Sequence, residues 1–329
     1  MQRSVLLPLA ALLALAAPQP AALAIDQLNI SEPNHVVGYL PLYVAQRRGF
    51  FAEEGIEVKW TTIETGSGPT NALLSNSIFA VLGGPEHNAY AKIKGADLRA
   101  IAGVVMRGSV YVTAAKGQEP ARPPTTNAEW ASYLKGKRIG VGAYGSTPNS
   151  VLRYLLARFG LDAKRDVTLH EMQSVAIVAA VKARQVDIAV LNEPLVTQGI
   201  RGGLWGEPIF NVPRELGAYA WTTVNVRGDT VEKQPQLVER FMRAMLKGLK
   251  ATYSDHQQTV AIAKQEFPSM AVEDLTAAIE RTLKDELWSK DGAIDPQSWE
   301  TAQNVAMEAG LLKQKVPYGD IIDTRFVKR

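Results

Sequence analysis

The sequence contains no cysteine in 329 residues, and this absence excludes several kinds of chemistry. Thiolate nucleophiles, disulfides, iron–sulfur clusters and cysteine-ligated zinc all require thiol sulfur. A strong excess of one charge is also missing, because 36 basic residues against 33 acidic ones leave a net charge of only +3. Since phosphate backbones are bound by strongly basic surfaces, a nucleic-acid partner is not expected.

Local catalytic and metal-binding motifs are missing as well. The histidines are His35, His87, His170 and His256. Their spacing matches no metal-binding motif, and no G-x-S-x-G nucleophile elbow is present. Gly140-x-Gly142-x-x-Gly145 matches a dinucleotide fingerprint, but all its glycines precede the predicted helix and the acidic residue expected about 20 positions later is poorly matched. We therefore expect no catalytic residue, no metal and no cofactor.

The first 24 residues have the pattern of a secretory signal. Arg3 precedes an apolar stretch from Val5 to Ala17, and Ala22-Leu23-Ala24 matches a cleavage site. The stretch is shorter than the roughly 20 residues that span a bilayer, so cleavage near Ile25 is expected rather than anchoring. Without a cysteine for lipid attachment, the exported protein is expected to be free, with no direct membrane insertion.

Strand-like and helix-like runs alternate in two stretches, Leu28 to Val105 and Arg138 to Leu191, with a proline-rich break between them. This alternation predicts two α/β units, and only helical patterns follow Pro235. We predict that the chain crosses between the units near Arg107 to Thr113 and near Trp221 to Asn225. The predicted domains are a signal peptide (1–24), lobe 1 with the C-terminal helices (25–109 and 223–329) and lobe 2 (110–222).

The loops that follow the predicted strands are the candidate binding region, because ligands of open α/β sheets bind beyond the carboxyl ends of the strands. Glycines and hydroxyl residues in these loops allow close approach to backbone N–H groups at helix starts. The same residue types are ordinary helix caps, so both interpretations stay open for each loop. The loops are Pro33 to Pro41, Glu64 to Asn71, Gly83 to Asn88, Ala143 to Ser150 and Asn192 to Thr197.

Charged and aromatic side chains near these loops are candidate ligand contacts. Glu86 and Glu193 would accept hydrogen bonds from an amine or amidine, or else complement a helix dipole. The loops contain no Lys or Arg, so an anionic ligand would depend on backbone dipoles and on Arg107, the nearest candidate cation. His35, His87 and Trp221 complete this set of candidates.

Several segments resemble the solute-binding proteins of nitrate, sulfonate and taurine importers, whose relatives bind pyrimidine precursors of thiamine. The segments occur in the family's order and span most of the chain after the signal. They are Gly38 to Val58, Thr65 to Pro69, Leu134 to Val141, Gly145 to Pro148 and Val186 to Pro194.

The resemblance implies a two-domain α/β periplasmic binding protein of the type II clamshell form, in which each lobe is a mixed sheet flanked by helices. Such a protein is periplasmic, holds a small solute between its lobes and delivers it to an ABC permease. It is not an enzyme, and the pyrimidine-synthesising enzymes of this fold carry a cysteine-rich motif that is missing here. The ligand contacts implied by the matching motifs are Tyr39, Leu40, Gly66, Ser67, Gly68, Gly84, Glu86, His87, Ser146, Thr147 and Glu193.

The hypotheses differ in the solute that they assign to the protein. The resemblance favours a sulfonate or taurine-like solute. Glu86, Glu193 and the aromatic residues favour instead an amino-pyrimidine or another nitrogen heterocycle for the same kind of importer. A further alternative is an exported enzyme that uses Glu86 or Glu193 as acid or base, which requires a reactive partner within hydrogen-bond reach of the substrate.

Overall fold

The computed structural model of the protein describes residues 25–63 and 68–327. The predicted signal peptide, residues 1–24, lies outside the described residues. Within the described residues, no helix is long and apolar enough to cross a membrane.

Sheet A has five strands in the spatial order β2-β1-β3-β10-β4. Strands β1, β2 and β3 are parallel, and β10 runs antiparallel to both β3 and β4. Its strands are β1 (Asp26–Glu32), β2 (Ile56–Thr62), β3 (Ala80–Gly83), β4 (Leu98–Arg107) and β10 (Ala218–Arg227).

Sheet B also has five strands, in the order β7-β6-β8-β5-β9. Strands β6, β7 and β8 are parallel, whereas β5 is antiparallel to β8 and β9. Its strands are β5 (Tyr111–Ala114), β6 (Arg138–Val141), β7 (Thr168–Glu171), β8 (Ile188–Leu191) and β9 (Phe210–Asn211).

Helices flank both sheets. Those joined to sheet A are α1 (Leu40–Arg47), α2 (Phe50–Glu53), α3 (Gly68–Leu74), α4 (Glu86–Ile93), α10 (Gly228–Lys233), α11 (Pro235–Ser254), α12 (His256–Glu266), α13 (Val272–Lys284), α14 (Pro296–Glu308) and α15 (Tyr318–Ile321). Those joined to sheet B are α5 (Asn127–Leu134), α6 (Thr147–Arg158), α7 (Ser174–Lys182), α8 (Leu195–Arg201) and α9 (Val212–Leu216). We call sheet A with its helices lobe 1, and sheet B with its helices lobe 2. The predicted α/β fold of two mixed sheets flanked by helices is confirmed.

The chain leaves lobe 1 between the end of β4 at Arg107 and the start of β5 at Tyr111. It returns immediately before β10, where Gly217 has φ +64°. The predicted second crossing at Trp221 to Asn225 is wrong, because these residues lie inside β10. Eight consecutive residues of β10 are buried, so the strand lacks the alternation that would identify it in the sequence.

Two local features position the helices of lobe 1. Gly49, at φ +76°, separates α1 from α2. Gly248 of α11 allows close packing on α1, because a Cβ atom there would lie 2.4 Å from the carbonyl oxygen of Pro41. The start of α1, and with it the loop before it, is thereby held against the C-terminal helices.

One hydrophobic cluster extends through both lobes. It contains Ile30 and Val224 of sheet A together with Ile139 and Val190 of sheet B, and all four are buried. A smaller cluster around Tyr111 packs on the other face of lobe 2. Apolar contact is therefore continuous from one lobe to the other.

Candidate functional site

A cavity of about 870 Å³ lies between the lobes and is lined by both of them. The lobe 1 wall comes from the loops after β1 and β3, from β10, and from the turn after α12. The lobe 2 wall comes from the loops after β6, β7 and β8. These loops follow the carboxyl ends of the strands, where the sequence places the candidate binding region.

Half of the predicted site residues are brought together at this cavity. They are His35, Tyr39, Gly84, His87, Ser146, Thr147 and Trp221. Their roles as ligand contacts stay predictions. The predicted loops of both lobes nevertheless face the same cavity.

The other predicted site residues do not line the cavity. Leu40 and Glu86 are buried in lobe 1, and Gly68 is exposed at the start of α3. Arg107 lies at the end of β4, where its Nη2 atom is 2.9 Å from Glu286 Oε2. Glu193 is buried beside the cavity wall. Gly66 and Ser67 lie outside the described residues.

His35 belongs to a polar cluster behind the lobe 1 wall. Its Nδ1 atom is 2.8 Å from Glu32 Oε1 and its Nε2 atom is 3.6 Å from Glu266 Oε2. Tyr43 also donates a hydrogen bond to the buried carboxylate of Glu32, and Arg47 pairs with Glu266. Burial lowers the pKa of His35, but the bond to Glu32 and the two carboxylate charges outweigh it and raise the pKa. This cluster places a chargeable donor at the cavity surface.

His87 and Glu86 begin α4 and meet the loop before α6 of lobe 2. Thr147 Oγ1 donates to Glu86 Oε1 at 2.7 Å, and His87 Nε2 is 3.2 Å from the carbonyl oxygen of Gly145. Gly84 is required here, because a Cβ atom on it would lie 2.1 Å from Glu86 Oε2. Glu86 therefore joins the two lobes beside the cavity and is covered by Gly84 and Thr147.

Glu193 follows β8, and its neighbours Asn192 and Pro194 line the cavity. Its carboxylate accepts hydrogen bonds from Thr197 N at 3.1 Å and Thr197 Oγ1 at 2.8 Å, and Arg281 Nε lies 2.9 Å away. No local pattern in the sequence indicates Arg281 as a partner, because it lies on α13, almost 90 residues further along the chain. The internal partners explain why Glu193 does not reach the cavity.

Side-chain amides are the lining residues that sequence reasoning missed. Asn88 and Asn225 bond to each other at 2.7 Å, and Asn192 donates to the carbonyl of Ser109. Within the described residues, no hydrogen bond is formed by the side chains of Asn34 in lobe 1 and Gln198 in lobe 2. Asparagine and glutamine occur in many loops and belong to no ligand motif. These amides could therefore not be identified as cavity residues from the sequence.

The described part of the cavity surface contains no ionisable Lys, Arg, Asp or Glu side chain, and it includes two histidines. Aromatic rings from Tyr39, Trp221 and Phe267 lie beside the amides and hydroxyls. No cluster of three or more His, Cys, Asp or Glu suited to a metal occurs in the described part of the chain. Such a surface can stack a flat ring and exchange hydrogen bonds with its edge.

Comparison with known proteins gives consistent similarity over nearly the whole chain. The profile of the family described as NMT1/THI5 like matches residues 36–259. Putative binding protein YtlA of Bacillus subtilis (strain 168) is 25% identical, over 93% of this chain and 90% of the relative. Riboflavin-binding protein RibY of Chloroflexus aurantiacus is 26% identical, over 95% of this chain and 89% of the relative.

The fold is shared with a solved binding protein. The alkanesulfonate-binding protein SsuA from Xanthomonas axonopodis pv. citri, bound to MOPS, superposes with a TM-score of 0.72 at 20% identity. The similarity covers 92% of this chain and 100% of that protein. The expected two-lobe fold of periplasmic binding proteins is thereby confirmed.

Proposed function

Because the chain belongs to the NMT1/THI5-like family, we propose that it is a periplasmic solute-binding protein of an ABC importer. In this proposal a small solute is held between the lobes and passed to a permease without any bond being made or broken. The predicted secretory signal and the absence of a membrane-crossing helix in the described residues are consistent with this role.

The observation that carries the proposal is the cavity enclosed by loops from both lobes. Its volume of about 870 Å³ lies within the range of roughly 300 to 1,000 Å³ found for sites that bury drug-sized ligands. Contacts from both lobes stabilise the state in which the lobes meet, which is how a two-lobe protein couples binding to closure.

We propose an uncharged nitrogen heterocycle as the solute. A sulfonate carries a full negative charge, which is costly to bury without charged or multiple dipolar donors. The described cavity wall offers neither Lys nor Arg, and both nitrogens of His87 already face carbonyl oxygens. Asn34 and Gln198 provide donors and acceptors suited to the edge of a heterocycle, and Trp221 provides an aromatic wall.

The relatives support both solute classes. The name of RibY describes binding of riboflavin, a large nitrogen heterocycle, whereas the structure of SsuA contains the sulfonate MOPS. A sulfonate therefore stays the second candidate, with His35 and the start of α6 as its donors. The size of the cavity and the lack of Lys and Arg on its described wall favour the heterocycle.

An enzymatic role has less support from the geometry. Glu86 is covered by Thr147, and Glu193 is engaged by Thr197 and Arg281. Neither carboxylate lines the cavity, so neither is positioned to exchange a proton with a molecule inside it.

Thermal unfolding of the mature protein tests the solute class. Riboflavin and 4-aminopyrimidine form one set of probes, and taurine, MOPS and nitrate form the other. A bound probe at a hundredfold excess over its Kd adds about 2.7 kcal/mol, which corresponds to a rise in Tm of roughly 5 °C or more. We expect at least one heterocycle to give this rise and the anions to give none. A rise with the sulfonates alone would replace the proposed solute by the second candidate.

Two amide variants test the site itself. Asn34→Ala and Gln198→Ala each remove a side chain that faces the cavity from one lobe, and each is expected to raise the Kd for the bound heterocycle about fivefold. Gln257→Ala, at an exposed position of α12, is the matched control and is expected to leave the Kd unchanged. Isothermal titration calorimetry measures all three. Unchanged affinity in both cavity variants would place the solute elsewhere.

A further inference from the structure

Both ring nitrogens of His87 face backbone carbonyl oxygens. Nδ1 is 3.1 Å from the oxygen of Gly84 in its own lobe, and Nε2 is 3.2 Å from the oxygen of Gly145 in the other lobe. A carbonyl oxygen only accepts hydrogen bonds, and a neutral imidazole carries a single N–H. Both contacts are therefore hydrogen bonds only when the ring is protonated on both nitrogens.

A carboxylate lies beside the His87 ring. Glu86 Oε1 lies 3.9 Å from Nδ1, and Glu86 Oε2 is buried without a hydrogen-bond partner among the described residues. An imidazolium supplies the opposite charge that this carboxylate otherwise lacks at short range.

The other ionisable groups at this contact are tyrosines and an arginine. Tyr90 packs edge-on against the His87 ring at 5.5 Å, and burial raises the pKa of Tyr90 and of Tyr219 on β10. On the lobe 2 side, the guanidinium of Arg153 lies 5.0 Å from the ring of Tyr144. His87 and Glu86 therefore form a histidine–carboxylate pair at this contact between the lobes.

We propose that His87 is a positioning residue that couples closure of the lobes to uptake of one proton. Separation of the lobes breaks the contact with Gly145 O and exposes that side of the ring to water. In the closed state, loss of the second N–H turns one hydrogen bond into a contact between two lone pairs. Closing the lobes therefore favours the protonated ring, and by linkage a lower pH favours closed lobes.

The bond from Thr147 to Glu86 joins the same two loops without using His87. Closure is consequently possible at high pH, but weaker. Since a hydrogen bond to a charged group is stronger than a neutral one, we expect the ratio of closed to open molecules to rise about tenfold between pH 8 and pH 5.5, the range in which free imidazole titrates.

Labelling at two introduced cysteines measures this ratio, because the chain has no cysteine of its own. Lys94→Cys in lobe 1 and Lys182→Cys in lobe 2 are at exposed positions, and single-molecule energy transfer between dyes there reports the separation of the lobes. His87→Gln in this background is expected to abolish the pH dependence. His256→Gln, at an exposed position of α12, is the matched control and is expected to retain it. A ratio that does not respond to pH, or that responds equally in His87→Gln, would overturn the proposal.

A second measurement avoids any substitution at His87. In ¹⁵N spectra of the full-length mature protein at pH 7, we expect the His87 ring to show two protonated nitrogens in the closed state. A single protonated nitrogen in closed molecules would also overturn the proposal. Both experiments are done without solute. The link between lobe closure and solute affinity rests on the proposed function. Failure of riboflavin to bind would contradict the proposed solute, whereas the pH dependence of closure is measured without solute and tests the role of His87.

Discussion

The buried carboxylate of Glu193 contacts Thr197 and Arg281 and does not line the cavity. Desolvation raises its pKa, although the bonds from Thr197 and the charge of Arg281 act in the opposite direction. The pairing with Arg281 ties the loop after β8 of lobe 2 to α13 of lobe 1. The residue is best described as a link between the lobes next to the cavity.

Substitution of Arg281 by methionine is expected to destabilise the protein strongly. Glu193 would then be left as a buried charge without its cation, which typically costs about 3 kcal/mol or more in free energy of unfolding. Urea unfolding measures the loss. The double variant Glu193→Gln, Arg281→Met should recover part of it, because the unpaired charge is removed as well.

The exposed pair of Arg165 and Asp162 provides the control for that experiment. Their nitrogen and oxygen lie 3.3 Å apart on the surface, where ion pairs contribute little. Arg165→Met should therefore leave the unfolding midpoint unchanged. An equal loss in Arg281→Met and Arg165→Met would contradict the role assigned to Glu193.

Individual site residues could be predicted from the sequence only where a local pattern of residue types indicated them. Gly84, Ser146 and Thr147, which the sequence indicated through glycine and hydroxyl residues at predicted strand ends, line the cavity, and their roles as ligand contacts stay predictions. Glu86 and Glu193 come from the same loops, yet their partners are distant in sequence, and no local pattern reveals that Thr147 or Arg281 will engage them. Long-range pairing decided which side chains reach the cavity.

At the scale of secondary-structure elements, Arg138 and Asp187 fasten two parallel strands of sheet B. The guanidinium binds both carboxylate oxygens, with Nη2 to Oδ1 at 2.6 Å and Nε to Oδ2 at 3.0 Å, and the backbone N of Arg138 adds a third bond at 2.9 Å. Arg138 begins β6, and Asp187 immediately precedes β8. The hydrogen bonds from Arg138 lower the pKa of Asp187.

The substitution Asp187→Asn is expected to cost about 1 to 2 kcal/mol in free energy of unfolding at pH 7, the scale of charged hydrogen bonds at a partly solvated site. A lowered folded-state pKa means that the ionised carboxylate stabilises the protein above the unfolded-state pKa of about 3.9. This contribution is lost as the pH falls through the folded-state value. Urea unfolding at a series of pH values should show wild type and variant converging below about pH 4. A constant difference across this range would argue against the ion pair.

Elements with a clear period were predicted well, and the others were not. The helical pattern predicted after Pro235 corresponds to α11, which begins at that residue, and to the helices that follow it. Strand β10 was mistaken for a connection because both its faces are buried and polar residues such as Thr222 and Asn225 interrupt its apolar run. Helix α5 begins at a capping box formed by Thr126 and Glu129, a local signal that the sequence did contain.

For the whole molecule, we expect cooperative unfolding despite the two lobes. The hydrophobic cluster is continuous from Ile30 in sheet A to Ile139 in sheet B, so loss of either lobe exposes apolar surface on the other. Far-ultraviolet circular dichroism and tryptophan fluorescence should report one urea midpoint, and the calorimetric enthalpy should equal the van't Hoff enthalpy. Two separated transitions would show that the lobes unfold independently.

The fold class at this scale could be predicted from the repeated strand and helix pattern, and the family resemblance added the two-lobe form. The order of strands could not be predicted, because it depends on contacts between distant segments. Strand β10 pairs with β3 through Val224 and Leu82, which are separated by more than 140 positions. No local propensity contains that information.

The place of β10 has a consequence for synthesis. A ribosome delivers the chain from its amino end, so β3 and β4 emerge long before the strand that lies between them. Until residues 218–227 are synthesised, β3 and β4 lack the strand that lies between them, and sheet A is incomplete. The second lobe is complete earlier, at about residue 216. Lobe 2, which is formed by an internal segment, can therefore fold first, whereas lobe 1 cannot complete sheet A until β10 has been made.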